Sequence, residues 1–390
     1  MKKMRILSLA LALALLTSCG SSSSQSDGSK QQNNQSSTST AGTTGNPSTG
    51  NTLDESFQLD QSNAEIVFRL AWGVNYDPAH PYTAAATTFA ETLYERSNGK
   101  IVCVYYPSAQ LGDDASALEQ VMLGTLDVQV VSTPFTSAFT DTLYPVDLPY
   151  VFDGDLTMTY DILSSEIGQK MLDACSEDLG IKCLSWCYQP YRDFYTNKKI
   201  ESAADLKGLK MRAMPNPLHQ DAFSAMGMNP TTTSFNEIYT LMQQGGIDGW
   251  DSDPIGIITG GFYEVVHYVT VSGHFNNEVM LDMSQNAWDR LTEEQQGWVL
   301  EAAQAAGKAS YETSMEQAEK RYAEMVEHGM EIIEIDLEPL KEACQPVVEK
   351  YCIRPSPAAT GARSQRPPGP IKTATSAHTS GHPAKQVRSL

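Results

Sequence analysis

The sequence is short of positive charge. Its 390 residues carry 27 Lys or Arg against 47 Asp or Glu, a formal net charge of −20. Gripping phosphate backbones needs clustered cations, so this balance argues against a nucleic-acid partner. Long apolar runs are also missing. The one candidate, Ile6 to Leu16, is too short for a membrane span, which needs about 20 apolar residues. There is no G-x-S-x-G, no H-E-x-x-H and no cysteine in a recognisable catalytic setting, so an enzyme would need an unfamiliar site. Cys183 and Cys187 lack a second matching pair, and the histidines at 80, 219, 267, 274 and 328 have no metal-like spacing.

What is present begins with an export signal. Lys2, Lys3 and Arg5 precede the apolar run, and Leu16-Thr17-Ser18-Cys19 follows it in the order of a bacterial lipoprotein processing box. The expectation is a signal peptide over 1–18, lipid on Cys19, and a protein anchored outside the cytoplasmic membrane. Residues 19–56 are rich in Ser, Gly and Asn and too poor in apolar surface to fold, so they read as a tether spanning roughly 30 Å. Residues 354–390 hold six Lys or Arg and no acid, the composition of a disordered or aberrant tail, and no function is assigned to them. Six further cysteines permit disulfides without requiring them. Cys103 and Cys183 lie in strand-like runs and read as core residues.

Between Ala64 and Lys350, strand-like and helix-like segments alternate. "AEIVFRLAWG", "KIVCVYYP", "LDVQVVST" and "IKCLSWCYQ" read as strands. "YTAAATTFAETLYERSNGK", "ASALEQVMLGT" and "LSSEIGQKMLDACSEDLG" read as helices with Gly at their ends. Repeated β-α units predict a mainly parallel sheet with helices on both faces. Ser234 with Glu237 and Thr292 with Gln295 fit capping boxes. The second opens over thirty residues without proline, a helix long enough to bridge two lobes.

Two arginines stand out. Arg192 in "CYQPYRDFYTNKKI" and Arg212 in "LKGLKMRAMPNP" sit among apolar and aromatic residues. A buried guanidinium needs an acceptor. From spacing alone, an internal Asp or Glu is the favoured partner for each.

The body also carries "NGKIVCVYYPSAQLGDD", "LEQVMLGTLDVQVVSTPF", "DLPYVF", "DLKGLKMR", "NPTTTSFNEIYTLMQQGGIDGWDSDP" and "NNEVMLDMSQNAWDRLTEEQQ". With these motifs it resembles the DctP-like solute-binding subunits of TRAP (tripartite ATP-independent periplasmic) transporters, along nearly all of Glu65–Lys350. The resemblance implies an α/β, two-lobed periplasmic-binding-protein-like fold, with hinge strands and a long helix spanning both lobes. It implies lobe I over 64–189 with 278–317 and lobe II over 190–277 with 318–353. It implies a monomer without metal or cofactor that closes on an organic acid and hands it to a small and a large membrane subunit.

The resemblance also assigns residues. Arg212 would take the substrate carboxylate in a two-pronged bond, a match of planar fork to carboxylate that lysine lacks. Arg192 would add a second anion contact. Asn75 and Asp113 or Asp114 would touch the polar part of the ligand, and Phe235 would pack over it. Met214, Asn216, Trp250, Asp251 and Ser252 complete the expected wall, with Trp250 either stacking on a sugar face or simply packing. One departure bears on the ligand. Ser252 stands where the family usually has Asn, and the adjacent Asp253 would repel a second carboxylate. A sugar acid or other hydroxylated acid, or an acid with an amine, therefore fits better than a C4-dicarboxylate. A sensory ligand-binding lipoprotein and an exported enzyme are the competing readings.

Overall fold

The computed structural model describes residues 58–352. The expected signal peptide, Cys19, the tether and the basic tail lie outside the described residues. One sheet organises the rest. Its strands are β1 (Ile66–Trp72), β2 (Ile101–Tyr106), β3 (Val128–Ser132), β4 (Ile181–Thr196), β5 (Lys210–Ala213), β6 (Asn229–Thr232), β7 (Gly249–Ser252), β8 (Tyr268–Ser284) and β9 (Glu331–Glu334). They run in the order β2-β1-β3-β8-β4-β7-β5-β6, with β9 beside β8.

The sheet is mixed, where the β-α alternation predicts a mainly parallel one. β1–β2, β1–β3, β5–β6, β5–β7 and β8–β9 are parallel, but β8 is antiparallel to both β3 and β4, and β4 is antiparallel to β7. The cause is length. β4 and β8 have 16 and 17 residues, more than one lobe uses. Their paired course runs from the β1–β3 end to the β5–β7 end. Between Gln189 and Phe194 the ladder shifts register twice. Pro190 has no N–H to give there, and bulges bend and twist a strand pair. The fold is thus α/β with two lobes joined by hinge strands.

Local chemistry sets the other elements. The helix Pro81–Arg96 buries Phe89 and Leu93 and stops at Asn98 and Gly99, both with positive φ. Both capping boxes form. The helix Glu293–Glu327 has 35 residues and so extends about 52 Å. It packs against Pro81–Arg96, β4, β9 and the helix Pro254–Thr259. Gly307 allows a close approach, since a Cβ there would lie 2.4 Å from the Trp186 carbonyl oxygen. One turn on, Ser310 Oγ accepts from the Tyr188 N–H at 3.0 Å, and Ser314 Oγ donates to the Tyr188 carbonyl at 2.8 Å. Two buried serines therefore satisfy strand backbone just before the bulge.

Apolar cores occupy both lobes. One gathers Phe68, Leu70, Phe89 and Leu281, the other Phe194, Met211, Phe223 and Leu340. All six described cysteines are free. Cys103 and Cys183 are buried, as core residues should be.

Candidate functional site

Where β4 and β8 cross between the lobes, a cavity opens whose space, its solvent mouth included, is about 440 Å³. Of the expected residues, Arg192, Arg212, Asp114, Met214, Phe235 and Ser252 line it. Asn75, Asn216, Trp250 and Asp251 do not.

Arg212 stands on β5 at 1% exposure. Its Nε and Nη2 both donate to the Thr233 carbonyl, at 3.0 and 2.9 Å. Nη1 has no partner among the described residues. Burial pulls the guanidinium down to about 10; the nearby charge of Arg192 works the same way, and Asp251 and Asp114 only partly offset this. Among the described residues no ion pair neutralises it. The favoured reading from spacing, an internal acid, therefore does not describe Arg212. It does describe Arg192. There Nε donates to Asp251 Oδ2 at 2.6 Å, Nη2 to the Asp251 carbonyl at 2.5 Å, and Nη1 to Asn277 Oδ1 at 3.3 Å. Burial alone would raise Asp251, but the Arg192 charge, the His274 ring 3.5 Å away and the hydrogen bond from Arg192 hold it far below the usual carboxylate range. Asp251 is a support behind Arg192.

Two acids face this positive end. Asp114 opens the helix Asp114–Met122 and is buried, with no partner for Oδ1. Burial, with the charge of Asp113 adding, pushes it up to about 7. Gly73 makes room for it, because a Cβ there would sit 2.5 Å from Asp114 Oδ2. Asp253 caps the helix Pro254–Thr259, accepting from the N–H groups of Ile255 and Gly256 at 3.0 and 2.9 Å. Its Oδ2 accepts long bonds from Gln189 and Asn277, each 3.4 Å. Phe235 stands edge-on to Phe262, with ring centroids 5.2 Å apart.

The remaining expected residues have other work. Asp113 caps its helix by accepting from the Ser116 N–H at 2.9 Å, which is turn chemistry. Asn75 is exposed and accepts from Ser108 Oγ. Trp250 is fully buried between Tyr195 and Phe262, a packing residue and not a sugar platform. Asn216 caps the helix Pro217–Ala225, and its Nδ2 donates to Ser137 Oγ at 2.7 Å. His80, Tyr82, Ser132, Phe135, Gln189 and Asn277 line the cavity without having been singled out by the sequence. His80 is the one with a local signal, since it precedes Pro81 at a helix start and its Nδ1 accepts from the Tyr82 N–H.

The site is thus a partly polar cleft with an open guanidinium valence at one side and carboxyls opposite. Comparison with known proteins agrees with a binding role. Residues 73–354 match the bacterial extracellular solute-binding protein family 7, DctP. The sialic acid-binding periplasmic protein SiaP of Vibrio cholerae serotype O1 is 31% identical over 268 residues, 68% of this chain and 83% of that protein. A TRAP periplasmic solute-binding protein of Pseudomonas putida F1, solved with bound D-glucuronate, superposes with a TM-score of 0.71 at 28% identity, covering 74% of this chain and 93% of that one. A counterpart from Sulfitobacter sp. NAS-14.1, solved with β-D-galacturonate, gives 0.70 at 28% identity over 73% and 94%. The chain belongs to the DctP family of extracellular solute-binding proteins, the non-enzymatic binding components of TRAP transporters.

Proposed function

We propose that this receptor captures a sugar acid in the interlobe cavity, with the ligand carboxylate on Arg212. The observation that carries the reading is the free Nη1 of a buried guanidinium lacking any carboxylate partner among the described residues. A carboxylate would complete its valence and neutralise its charge in a setting where water competes poorly. Arg192 supplies a second positive wall, already half-neutralised by Asp251. Asp114 and Asp253 suit ligand hydroxyls and oppose a second carboxylate, so a plain dicarboxylate is disfavoured. The uronates bound by the two solved relatives have this chemistry. Closure of lobe I (64–189 with 278–317) on lobe II (190–277 with 318–353) about the β4–β8 bulges would bury the ligand. Lipid on Cys19 would hold the receptor at the outer face of the membrane, where it would deliver the acid to the small and large membrane subunits.

Isothermal titration against D-glucuronate, D-galacturonate, N-acetylneuraminate and succinate tests the ligand class. At least one sugar acid should bind and succinate should not. Arg212→Lys should weaken the bound acid by at least about 2 kcal/mol, since the fork and the desolvated pairing are both lost. Unchanged affinity in that variant sinks the assignment.

A further inference from the structure

Beside the main cavity lies a second hollow, too narrow in this conformation for a free water. Gln189 and Asn277 line both spaces and form the partition between them. They are register partners across β4 and β8, just before the ladder shifts. Behind them, the neighbouring pair Tyr188 and Glu278 belongs to the hollow, with Asn276, Tyr191 and Thr159.

Glu278 is the unusual member. It is 2% exposed, yet neither carboxyl oxygen has a hydrogen-bond partner among the described residues. Nδ2 of Asn276 has none either. The Asn276 amide lies near enough to favour the ionised form, but burial, with the charge of Asp147 adding, pushes Glu278 up to about 8. At neutral pH it is therefore mostly a carboxylic acid, offering one donor and an acceptor. Beyond each other, the Glu278 carboxyl and the Asn276 amide have no hydrogen-bonding neighbour among the described residues, and buried polar groups are nearly always satisfied, so the pair has capacity for a partner from outside the chain.

The partition is weakly held. Gln189 Nε2 reaches Asp253 Oδ2 at 3.4 Å and Asn277 Nδ2 the same oxygen at 3.4 Å, both at the long end of the hydrogen-bond range. His80 is neutral, since burial drops it to about 3, and its Nδ1 accepts from Tyr82. Its Nε2 therefore carries the hydrogen and faces the Gln189 amide nitrogen at 3.5 Å, donor to donor. Gln189 has little to lose by turning.

We propose that the hollow is a second compartment of the ligand cavity, opened when Gln189 and Asn277 turn aside, and that it takes a hydroxyl- or amide-bearing side arm of a longer sugar acid against Glu278 and Asn276. This rests on the sugar-acid reading above. The rings of Tyr188 and Tyr191 give the arm apolar walls, and their hydroxyls are already engaged by Ser164 and Thr159. A neutral carboxyl matches hydroxyls and amides and gives an ammonium arm no counter-charge.

Titration of the full chain with N-acetylneuraminate, which has a hydroxylated and an amide arm, and with D-glucuronate, which has neither, tests the proposal. Glu278→Leu should weaken N-acetylneuraminate about tenfold or more, the loss of a buried hydrogen bond, and D-glucuronate less than about twofold. Glu278→Gln, which keeps a donor and an acceptor, should retain most of the N-acetylneuraminate affinity. The thermal midpoint of unliganded Glu278→Leu, at or above that of the parent, shows that the variant folds. Equal weakening of both acids by Glu278→Leu, no weakening of either, or a parent chain that binds D-glucuronate but not N-acetylneuraminate overturns the second compartment and leaves the sugar-acid reading standing. A parent chain that binds neither acid nor any other sugar acid overturns that reading, and the compartment with it.

Discussion

Arg192 and Asp251 form a closed buried pair, with Nε on Oδ2 at 2.6 Å and side chains 6% and 0% exposed. Arg212 lines the same cavity without such a pair and spends two of its nitrogens on one backbone carbonyl. Two arginines that look alike in the sequence thus divide the work. One is tied into the fold by a carboxylate, and the other keeps a guanidinium nitrogen without a partner among the described residues.

The first prediction separates stability from binding at Arg212. An unpaired buried cation costs folding energy, which the function tolerates. Arg212→Met keeps most of the volume and removes the charge. Unfolding by urea should show the variant about 1–3 kcal/mol more stable than the parent in the absence of ligand. Its affinity for any acid should be abolished. A destabilised Arg212→Met would mean that the two bonds to Thr233 outweigh the desolvation cost.

At the closed pair the sign reverses. Asp251→Ala leaves the Arg192 guanidinium buried with only a carbonyl and an amide, and should cost about 3–5 kcal/mol. Arg192→Met strands the Asp251 carboxylate and should cost a similar amount. Replacing both together should cost clearly less than the sum, because neither charge is then orphaned. Denaturant unfolding of the two singles and the double measures this. Additive losses would show that the two charges do not depend on each other.

Spacing alone misread Arg212, because an arginine in an apolar run needs an acceptor but its spacing does not say that a backbone carbonyl will be that acceptor; the resemblance carried by the surrounding motif placed it in the cavity wall, where the structure has it. The sequence also read β7 poorly. That strand is buried along its whole length, so period-two alternation cannot separate the cavity side from the core side. Trp250 went to the core and Asp251 to the Arg192 pair, while Ser252 alone reached the cavity. Asn75 and Asn216 satisfy local partners in loop and cap, which their composition allowed but did not require. Gln189 and Asn277 lie inside "CYQPYRDFYTNKKI" and "NNEVMLDMSQNAWDRLTEEQQ", but nothing in those stretches marks either as a cavity residue. They meet because positions 88 residues apart in the chain pair in a register that only the folded sheet defines. The antiparallel hinge was hidden for the same reason: the β-α rhythm covers the lobes, and the long strands that join them lie outside it.

Gly307 offers a contest between local propensity and packing. Alanine is about 1 kcal/mol better than glycine in a helix interior. Here its Cβ would meet the Trp186 carbonyl oxygen at 2.4 Å, and backbone cannot rotate away. Overpacking of this kind costs about 1–3 kcal/mol, and a rigid neighbour places it at the upper end. Gly307→Ala should therefore be destabilising by about 1–2 kcal/mol, a fall of a few degrees in midpoint. Ala at Gly297, which has open space around it, should be neutral or stabilising. A higher midpoint in Gly307→Ala would show that the long helix does not rest on β4 as closely as described.

The buried acids predict an unusual pH profile. Burial raises Asp114, Asp147 and Asp282 to about 7 and Glu278 to about 8, and it also raises Asp193 and Asp253. Each of these groups binds its proton more tightly folded than unfolded. The folded state therefore holds more protons between about pH 4, the ordinary carboxylate range, and pH 8. Stability must fall as pH rises through that window and level off above it. Asp251 works in the opposite direction, but its stabilisation is lost only below the ordinary carboxylate range. His80 and His219, dropped to about 3 by burial, also oppose the trend below about pH 6.5, but two lowered histidines are outnumbered by the raised carboxyls. Thermal midpoints should thus be higher at pH 5 than at pH 8. Self-repulsion at a net charge of −20 pushes the same way, so a variant must separate the two causes. Asp282 is fully buried with no hydrogen bond to either oxygen among the described residues, and only the Cys183 thiol favours its ionised form. Asp282→Asn changes the net charge by one yet removes a whole titrating site from the core. It should raise the midpoint at pH 8, leave it nearly unchanged at pH 5, and flatten the slope between them. A slope untouched by Asp282→Asn would assign the pH dependence to surface repulsion and not to buried carboxyls.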